Sequence, residues 1–528
     1  MVRKAGFVFA VASGVVLIAS GTGLAQGTSP VQVSSSSSPL ASTACTSTDA
    51  GQSGKNYLNS TVEPQIAVNP KDTRNMIGMW HQDRWSNGGA HGIGVGYSTN
   101  GGNTWNETTL PADACSGATK DSKLDIYLRN SDPWVSFGPD GTAYASALAF
   151  NLGVPNWDNA VAVATSTDGG AHWNNAQAIV GSAFTQFAQS TDKNSTTADP
   201  LTAGTAYTVW DTLINPTDQP DDNPHTQSYT GPAYFSMTMN GGVDWTPAKI
   251  IINTPQRQQT IGNIILVDPS TKPHTLYDFT NLITPPNTPF RGTRTTQSVA
   301  FVKSTDGGMT WTAPQVIAPF NSLGVHDPNT GQLLRVGDGL EEVAIDPSSG
   351  KLYAVWESST NYNKSVKQST GLWDDEILLT SSKDGGAHWT TPTVVHHLDS
   401  GLPTYTPMVA VNGERVAVTY YDNRNLEQGQ TAVLPTDYWV SYFSTSDGTF
   451  LKEDHIAGSF DQLSAPFARG FFLGDYEGLQ PSGSGFAALF VKTHCDAPYK
   501  STFCGPASNT VTSSSNTNPT DVFFAALS

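Results

Sequence analysis

The sequence predicts an all-β chain, a β-propeller of four-stranded antiparallel blades. Seven blades are expected, with six as the alternative, and an N-terminal strand closes the array. Three observations carry this. Only 14% of the 528 residues are charged, while Gly (49), Pro (33) and aromatic residues (10%) are plentiful; that is the composition of short strands joined by many turns. An octapeptide ending in Trp recurs along the chain. Between its copies a strand–turn–strand pattern recurs as well.

The elements follow in chain order. Arg3 and Lys4 precede an apolar run that starts at Phe7, and Gly23-Leu24-Ala25 places small residues before a cleavage point. Residues 1–25 therefore read as a secretory signal peptide, too short for an anchor. Residues 26–60 form a Ser/Thr-rich N-terminal arm, expected to be flexible. Residues 61–528 form the propeller domain.

The octapeptide reads STNGGNTW at Ser98–Trp105, STDGGAHW at Ser166–Trp173 and TMNGGVDW at Thr238–Trp245. It continues as STDGGMTW at Ser304–Trp311 and SKDGGAHW at Ser382–Trp389, with a worn copy, TSDGTF, at Thr445–Phe450. The spacing is about 70 residues, the length of one propeller blade with its loops. Ser or Thr, Asp or Asn and the glycines suit a self-bonded turn, and the Trp suits a plug against neighbouring strands. Seven apolar–turn–apolar units intervene, from Ile66–Trp80 to Tyr476–Phe490. Each unit supplies strands one and two of a blade, and the octapeptide joins strands three and four. The last unit ends at Asp521–Leu527 without an octapeptide, so the arm before Glu63 is expected to supply its outer strand.

The net charge of −18 excludes nucleic acid as a natural partner. No stretch after the signal peptide is long and apolar enough for membrane insertion. A secreted monomer, extracellular or periplasmic, is expected. The four cysteines fit two disulfides in an exported chain. Cys45–Cys115 with Cys495–Cys504 is the simplest of three pairings. With no CxxC and scattered histidines, no metal or other cofactor is expected. The acidic runs Asp218–Asp222 and Asp374–Glu376 lack calcium-loop spacing and read as solvated.

The octapeptide resembles the Asp-box, or bacterial neuraminidase repeat, of sialidase-like propellers, and the likeness covers about residues 60–528. In that family six blades are usual. A Tyr assisted by a Glu attacks the sugar, three Arg hold its carboxylate, and an Asp is the acid/base; Tyr replaces the ordinary carboxylate nucleophile. On the resemblance, Arg469-GFFLGDYEGL479 makes Tyr476 the nucleophile and Arg469 a clamp arginine, with Asp475 beside them. Glu341, Glu342, Glu357 and Glu376 are holders of the helper role, Glu342 and Glu357 foremost. Asp83 and Arg84 stand where the acid and a second arginine could be supplied. The first inner strand departs from the family: it reads Glu63-Pro-Gln-Ile-Ala-Val, without the family's Arg-Ile-Pro.

Short first-to-second turns share one face with the octapeptides, so the long loops gather on the other. That face is expected to bind substrate through Arg469, Arg84, Arg424, Asp422, Trp373 and Asp475. The expected function is a glycosidase acting on an extracellular glycan or polysaccharide. The alternatives are a non-catalytic glycan- or protein-binding propeller, and a polysaccharide lyase using Tyr476 with Arg469 or His81 with Arg84.

Overall fold

The computed structural model describes residues 29–40, 53–152, 159–181, 189–214, 229–284, 296–359, 375–396, 402–501, 504 and 519–528. Among them there is no α-helix, only two 3-10 turns, Lys120–Ser122 and Gln462–Ser464. No helix among the described residues is long and apolar enough to cross a membrane.

Most strands form antiparallel four-stranded sheets; Val325–His326, Leu333–Arg335 and Phe471–Phe472 form a separate three-stranded sheet whose last pair is parallel. Sheet 1 runs Asn56–Val68, Met76–Trp85, Ala90–Ser98 and Asn106–Thr109. Sheet 2 runs Arg129–Phe137, Ala143–Phe150, Asn159–Ser166 and Asn174–Gly181, and a single pair, Ala90 with Asn130, ties it to sheet 1. Sheets 3, 4, 5 and 6 begin at Gln189–Ala198, Gln259–Asp268, Glu341–Ile345 and Thr404–Asn412, each followed by its own three strands. Sheet 7 contains Gly478–Ser482, Gly485–Thr493 and Thr520–Leu527. Its fourth strand is Val31–Gln32, paired as Val31 with Phe524 and Gln32 with Phe523. The arm thus supplies the outer strand as expected. It is also packed rather than loose over residues 31–40: Val33 and Leu40 are buried, and Ser34 Oγ donates to Asp521 Oδ1 at 2.6 Å.

The first strands lie side by side in order, from sheet 1 to sheet 7, and the first strand of sheet 7 packs on that of sheet 1. The octapeptide explains the five seams at which a full copy stands. In all five full copies the first-position hydroxyl accepts the N–H of the second glycine at 2.9–3.0 Å. Both glycines have positive φ, as at Gly307 (72°) and Gly308 (86°). The second glycine also touches the preceding sheet. A Cβ on Gly308 would lie 2.7 Å from Phe235, and one on Gly386 would meet Phe301. Gly102 of sheet 1 abuts Phe524 of sheet 7 in the same way. The tryptophan then covers that neighbour: Trp311 on Phe235 and Trp105 on Phe524, with ring centroids 5.4 and 5.5 Å apart. Burial of such a ring contributes about 1.5–3 kcal/mol.

The octapeptide turns share their end of the sheets with the first-to-second turns. Gly101 N–H donates to Arg74 O, and Gly241 N–H to Gly204 O. Described connections between successive sheets, such as those leading to Glu341 and to Gly478, leave from the other end. Cys495 is bonded to Cys504, and Cys115 is also disulfide-bonded; Cys45 lies outside the described residues.

Candidate active site

Five first strands carry the same irregularity at their start. The register slips between Val62 and Gln65, Ser131 and Trp134, Asp192 and Ser195, Ile261 and Ile264, and Tyr405 and Met408. Each bulge holds one residue at positive φ: Glu63 (55°), Asp132 (50°), Lys193 (22°), Gly262 (81°) and Thr406 (51°). Bulges bend a strand and re-aim a side chain. A proline follows Glu63, Asp132 and Thr406; lacking an N–H, it cannot take a ladder position there.

Three of these residues, Glu63, Asp132 and Lys193, line a cavity of about 430 Å³ on the long-loop face. One oxygen of each carboxylate and a ring nitrogen of His81 lie within 4.8 Å of one another. Glu63 Oε2 is 2.9 Å from His81 Nε2. Arg84 Nη1, always a donor, stands 3.1 Å from His81 Nδ1. The Asp132 backbone N–H donates to His81 Nε2 at 2.9 Å. Arg335 pairs with Asp475 through Nε (3.2 Å) and Nη2 (2.5 Å). The guanidiniums of Arg84 and Arg335 both stack on Phe472, 4.7 and 4.3 Å from its ring centre.

The two central carboxyls are pushed apart electrically. Burial opposes ionisation of Glu63, but His81, Arg84 and Arg335 outweigh it and hold Glu63 well below the ordinary carboxylate range. Burial raises Asp132 to about 6, and the Glu63 charge adds to this against the pull of Lys193. Burial likewise lifts Asp475 to about 6 despite Arg335. Burial, then the Arg335 charge, draws Arg84 down to about 10.

Lys193 is wedged between the rings of Tyr476 and Trp134, 3.8 and 4.4 Å from their centres, and its buried Nζ has no hydrogen-bond partner. The Nε of Arg84 is also buried and unpartnered. Both side chains border the cavity. Glu63, His81 and Asp132 have the ligand types of a small metal site. The positive charge such an ion would bring is already supplied by Arg84 and Arg335, and no metal chemistry is assigned.

Of the residues singled out from sequence, Tyr476, Asp475, Arg469 and Arg84 line this cavity together. The Tyr476 hydroxyl is buried and unpartnered; burial first, then Asp132, Glu63, Asp475 and Glu342, push it well above the ordinary tyrosine range. Glu342 opens instead on a second cavity, about 470 Å³, shared with Gln65, Trp134 and Met408 and bordered by the short turns of the opposite face. Burial raises Glu342 to about 8. Glu357 is fully buried, accepts the Thr406 N–H at 2.7 Å, and does not border the charged cavity. Asp83 turns inward and accepts from Ser38 Oγ, Asn59 N and Gln82 Nε2 at 2.7–3.0 Å. Arg424 pairs with Asp422 (2.6 Å) and Glu453 (2.7 Å) and stacks on Trp439, away from the cavity. Trp373 lies outside the described residues.

Sequence reading did not single out Asp132 or Lys193, and noted Glu63 only as a departure. A signal was present: Glu63-Pro64, Asp132-Pro133 and Thr406-Pro407 occupy the same place in their repeats, ahead of Ile66, Val135 and Val409.

No protein-family model matches the chain, and no curated protein matches it. Among solved structures, it is similar to an α-L-arabinofuranosidase from Fusarium graminearum bound to an iminosugar inhibitor, at 12% identity and a TM-score of 0.46, over 80% of this chain and 99% of that one. It is also similar to a protein of unknown function from Dyadobacter fermentans, at 12% identity and a TM-score of 0.42, over 90% and 96% of the two chains. A mutant sialidase from Streptococcus pneumoniae aligns at 12% identity and a TM-score of 0.41, over 90% of this chain and 70% of that one.

Proposed function

We propose that the chain is an exported glycoside hydrolase, a ring of seven Asp-box blades that cleaves glycosides of acidic sugars in the charged cavity. One observation carries this reading: Glu63 and Asp132 face each other at close range, one favoured as the anion and the other as the neutral acid. Carboxyls whose environments separate their protonation states make an acid and nucleophile pair. Their spacing, with oxygens within 4.8 Å, fits the retaining geometry.

In this reading Asp132 gives its proton to the glycosidic oxygen while Glu63 attacks the anomeric carbon. The aglycone leaves as the alcohol, and the sugar remains as an ester on Glu63. Water then gives a proton to Asp132 and its oxygen to the sugar, which frees Glu63. His81 positions Glu63. Arg84, Arg335, Arg469 and Lys193 supply positive charge for a carboxylate on the sugar. Tyr476 and Lys193 form the floor. The seven first strands packed in sequence, with Gly102 and Trp105 seated on sheet 7, support ring closure.

The test is a screen of the secreted protein against fluorogenic uronides, sialosides and neutral glycosides. Turnover that is lost in both Glu63→Gln and Asp132→Asn, with folding intact, supports the assignment. Full activity in either variant refutes it.

A further inference from the structure

The worn copy of the octapeptide, Thr445–Phe450, leaves one seam without its plug. The full copies set the pattern. Three residues before the copy stands Phe235 in sheet 3 and Phe301 in sheet 4. The next sheet's tryptophan covers each: Trp311 lies on Phe235, and Trp389 on Phe301 with ring centroids 6.1 Å apart. In sheet 5 the same place, three residues before Ser382, is held by Leu379. A tryptophan to cover it would come from sheet 6, whose turn is the worn copy. That turn closes through its backbone, with Gly448 N–H donating to Ser444 O at 2.9 Å. Its aromatic residue, Phe450, packs edge-on against Phe443 of its own sheet at 5.9 Å and does not border the gap. A cavity of about 410 Å³ lies there, with Leu379, Tyr353 and Trp389 of sheet 5 on one side and Val416 and Phe443 of sheet 6 on the other.

Leu379, Val416 and Phe443 are buried and make an apolar floor. The rim carries hydroxyls and charges that are engaged within the protein. Thr380 Oγ1 donates to Thr390 O, Asp384 accepts from Ser382 Oγ and His388 N, and Lys351 Nζ donates to Thr445 O. Tyr353 and Trp389 differ. Tyr353 is 3% exposed and its buried hydroxyl has no hydrogen-bond partner, and the buried Nε1 of Trp389 has none either. A few unmet polar groups in an apolar pocket are what orients a small ligand, and leaving them unmet costs free energy.

We propose that this seam is a second binding site, sharing no residue with the charged cavity, and that it takes a neutral planar aromatic ring with one small polar group, of the indole or phenol type. The fold seats an indole against the corresponding wall of sheets 3 and 4, and the wall at Leu379 stands without one. The polar group of the ring meets the Tyr353 hydroxyl, which both donates and accepts. Lysines and aspartates both stand on the rim, so no net charge on the ligand is called for. A sugar would set hydroxyls against Leu379, Val416 and Phe443, where they go unpaired. The site stands whether or not the charged cavity is hydrolytic.

Equilibrium dialysis of the full chain against indole tests this, with indene as the isostere that lacks the N–H. Saturable binding of indole is expected. Leu379→Trp places an indole of the chain's own in the gap and should weaken that binding at least about tenfold, because a filled pocket admits a ligand only by overpacking. Tyr353→Phe should weaken indole about three- to tenfold, the worth of one hydrogen bond, and leave indene unchanged. Melting temperature controls for folding; if Leu379→Trp does not fold, the comparison in Tyr353→Phe decides. No saturable binding of indole, undiminished binding by folded Leu379→Trp, or an affinity in Tyr353→Phe that is unchanged for indole or lowered equally for indene overturns the site. Displacement of indole by methyl glucoside overturns the aromatic preference.

Discussion

Glu63 Oε2 lies 2.9 Å from His81 Nε2, and neither side chain is more than 2% exposed. His81 does not line the cavity but touches Glu63, Arg84 and the Asp132 backbone N–H, so in the hydrolase reading it is a positioning residue. His81→Gln should lower kcat about 10- to 100-fold with a smaller change in KM. The low-pH limb of the rate profile should move upward, because Glu63 then loses a partner for its charge. An unchanged limb would assign His81 a purely structural role.

Glu63→Gln and Asp132→Asn keep shape and remove charge. Each should reduce kcat by about 10³-fold, within the range for an acid–base group. Thermal unfolding should confirm that both variants fold. A loss confined to KM would point to binding alone.

In the hydrolase reading, Asp132 must be protonated to act as the acid. Asp132 stays protonated up to about 6, so kcat/KM should hold from mildly acidic pH and fall as pH rises through 6. Asp132→Glu, if active, should shift that fall.

Stability should follow pH in the same sense. Buried Asp113, Asp375 and Glu342 hold their protons to about 6, 7 and 8, chiefly through burial, whereas unfolded carboxyls ionise near about 4. Between these limits the folded state binds more of these protons than the unfolded state, so what these three groups contribute is full below about 4 and declines as pH rises to 8. The melting temperature should therefore fall between pH 5 and 8, and Glu342→Gln should flatten the upper part of that fall. A melting temperature that rises across this window would contradict the assignment.

Gly308→Ala and Gly448→Ala separate backbone strain from seam packing. Both positions have positive φ (86° and 76°), but only a Cβ at 308 meets a neighbour, Phe235 at 2.7 Å, whereas one at 448 meets nothing within 4 Å. Gly448→Ala should cost about 1 kcal/mol of unfolding free energy. Gly308→Ala should cost a further 1–3 kcal/mol, roughly, from overpacking. Chemical denaturation of the two variants measures the difference.

Deleting residues up to 40 should expose Thr520–Leu527 as a bare edge, since Val31–Gln32 covers it now. Light scattering should then show dimers or larger species.

Much of the architecture was written locally. The octapeptide carries its own turn chemistry, a hydroxyl, a short acid or amide, two glycines and a plug, so five copies could be placed by eye. The sheets followed from the alternation between them, and the unpaired last unit called for a strand from the arm. The site was less legible. Tyr476 and Arg469 were found through the resemblance of Arg469–Leu479 to Asp-box propellers, and Asp475 and Arg84 because they stand in long loops or at strand ends rich in chemistry. Asp422 and Arg424 looked equivalent, yet they pair with each other and with Glu453 instead of facing the cavity.

The sequence alone determined a repeated β unit, its turns and the face on which long loops collect, because those depend on neighbours a few residues apart. Only the tertiary structure decided that Glu63, His81, Asp132 and Lys193 meet, because each comes from a different strand or sheet. Their mutual distances exist only once the first strands lie side by side and the bulges turn these side chains toward one cavity. The separation of Glu63 from Asp132 in protonation arises there too, since burial and guanidinium charge act through space and leave no trace in the order of residues.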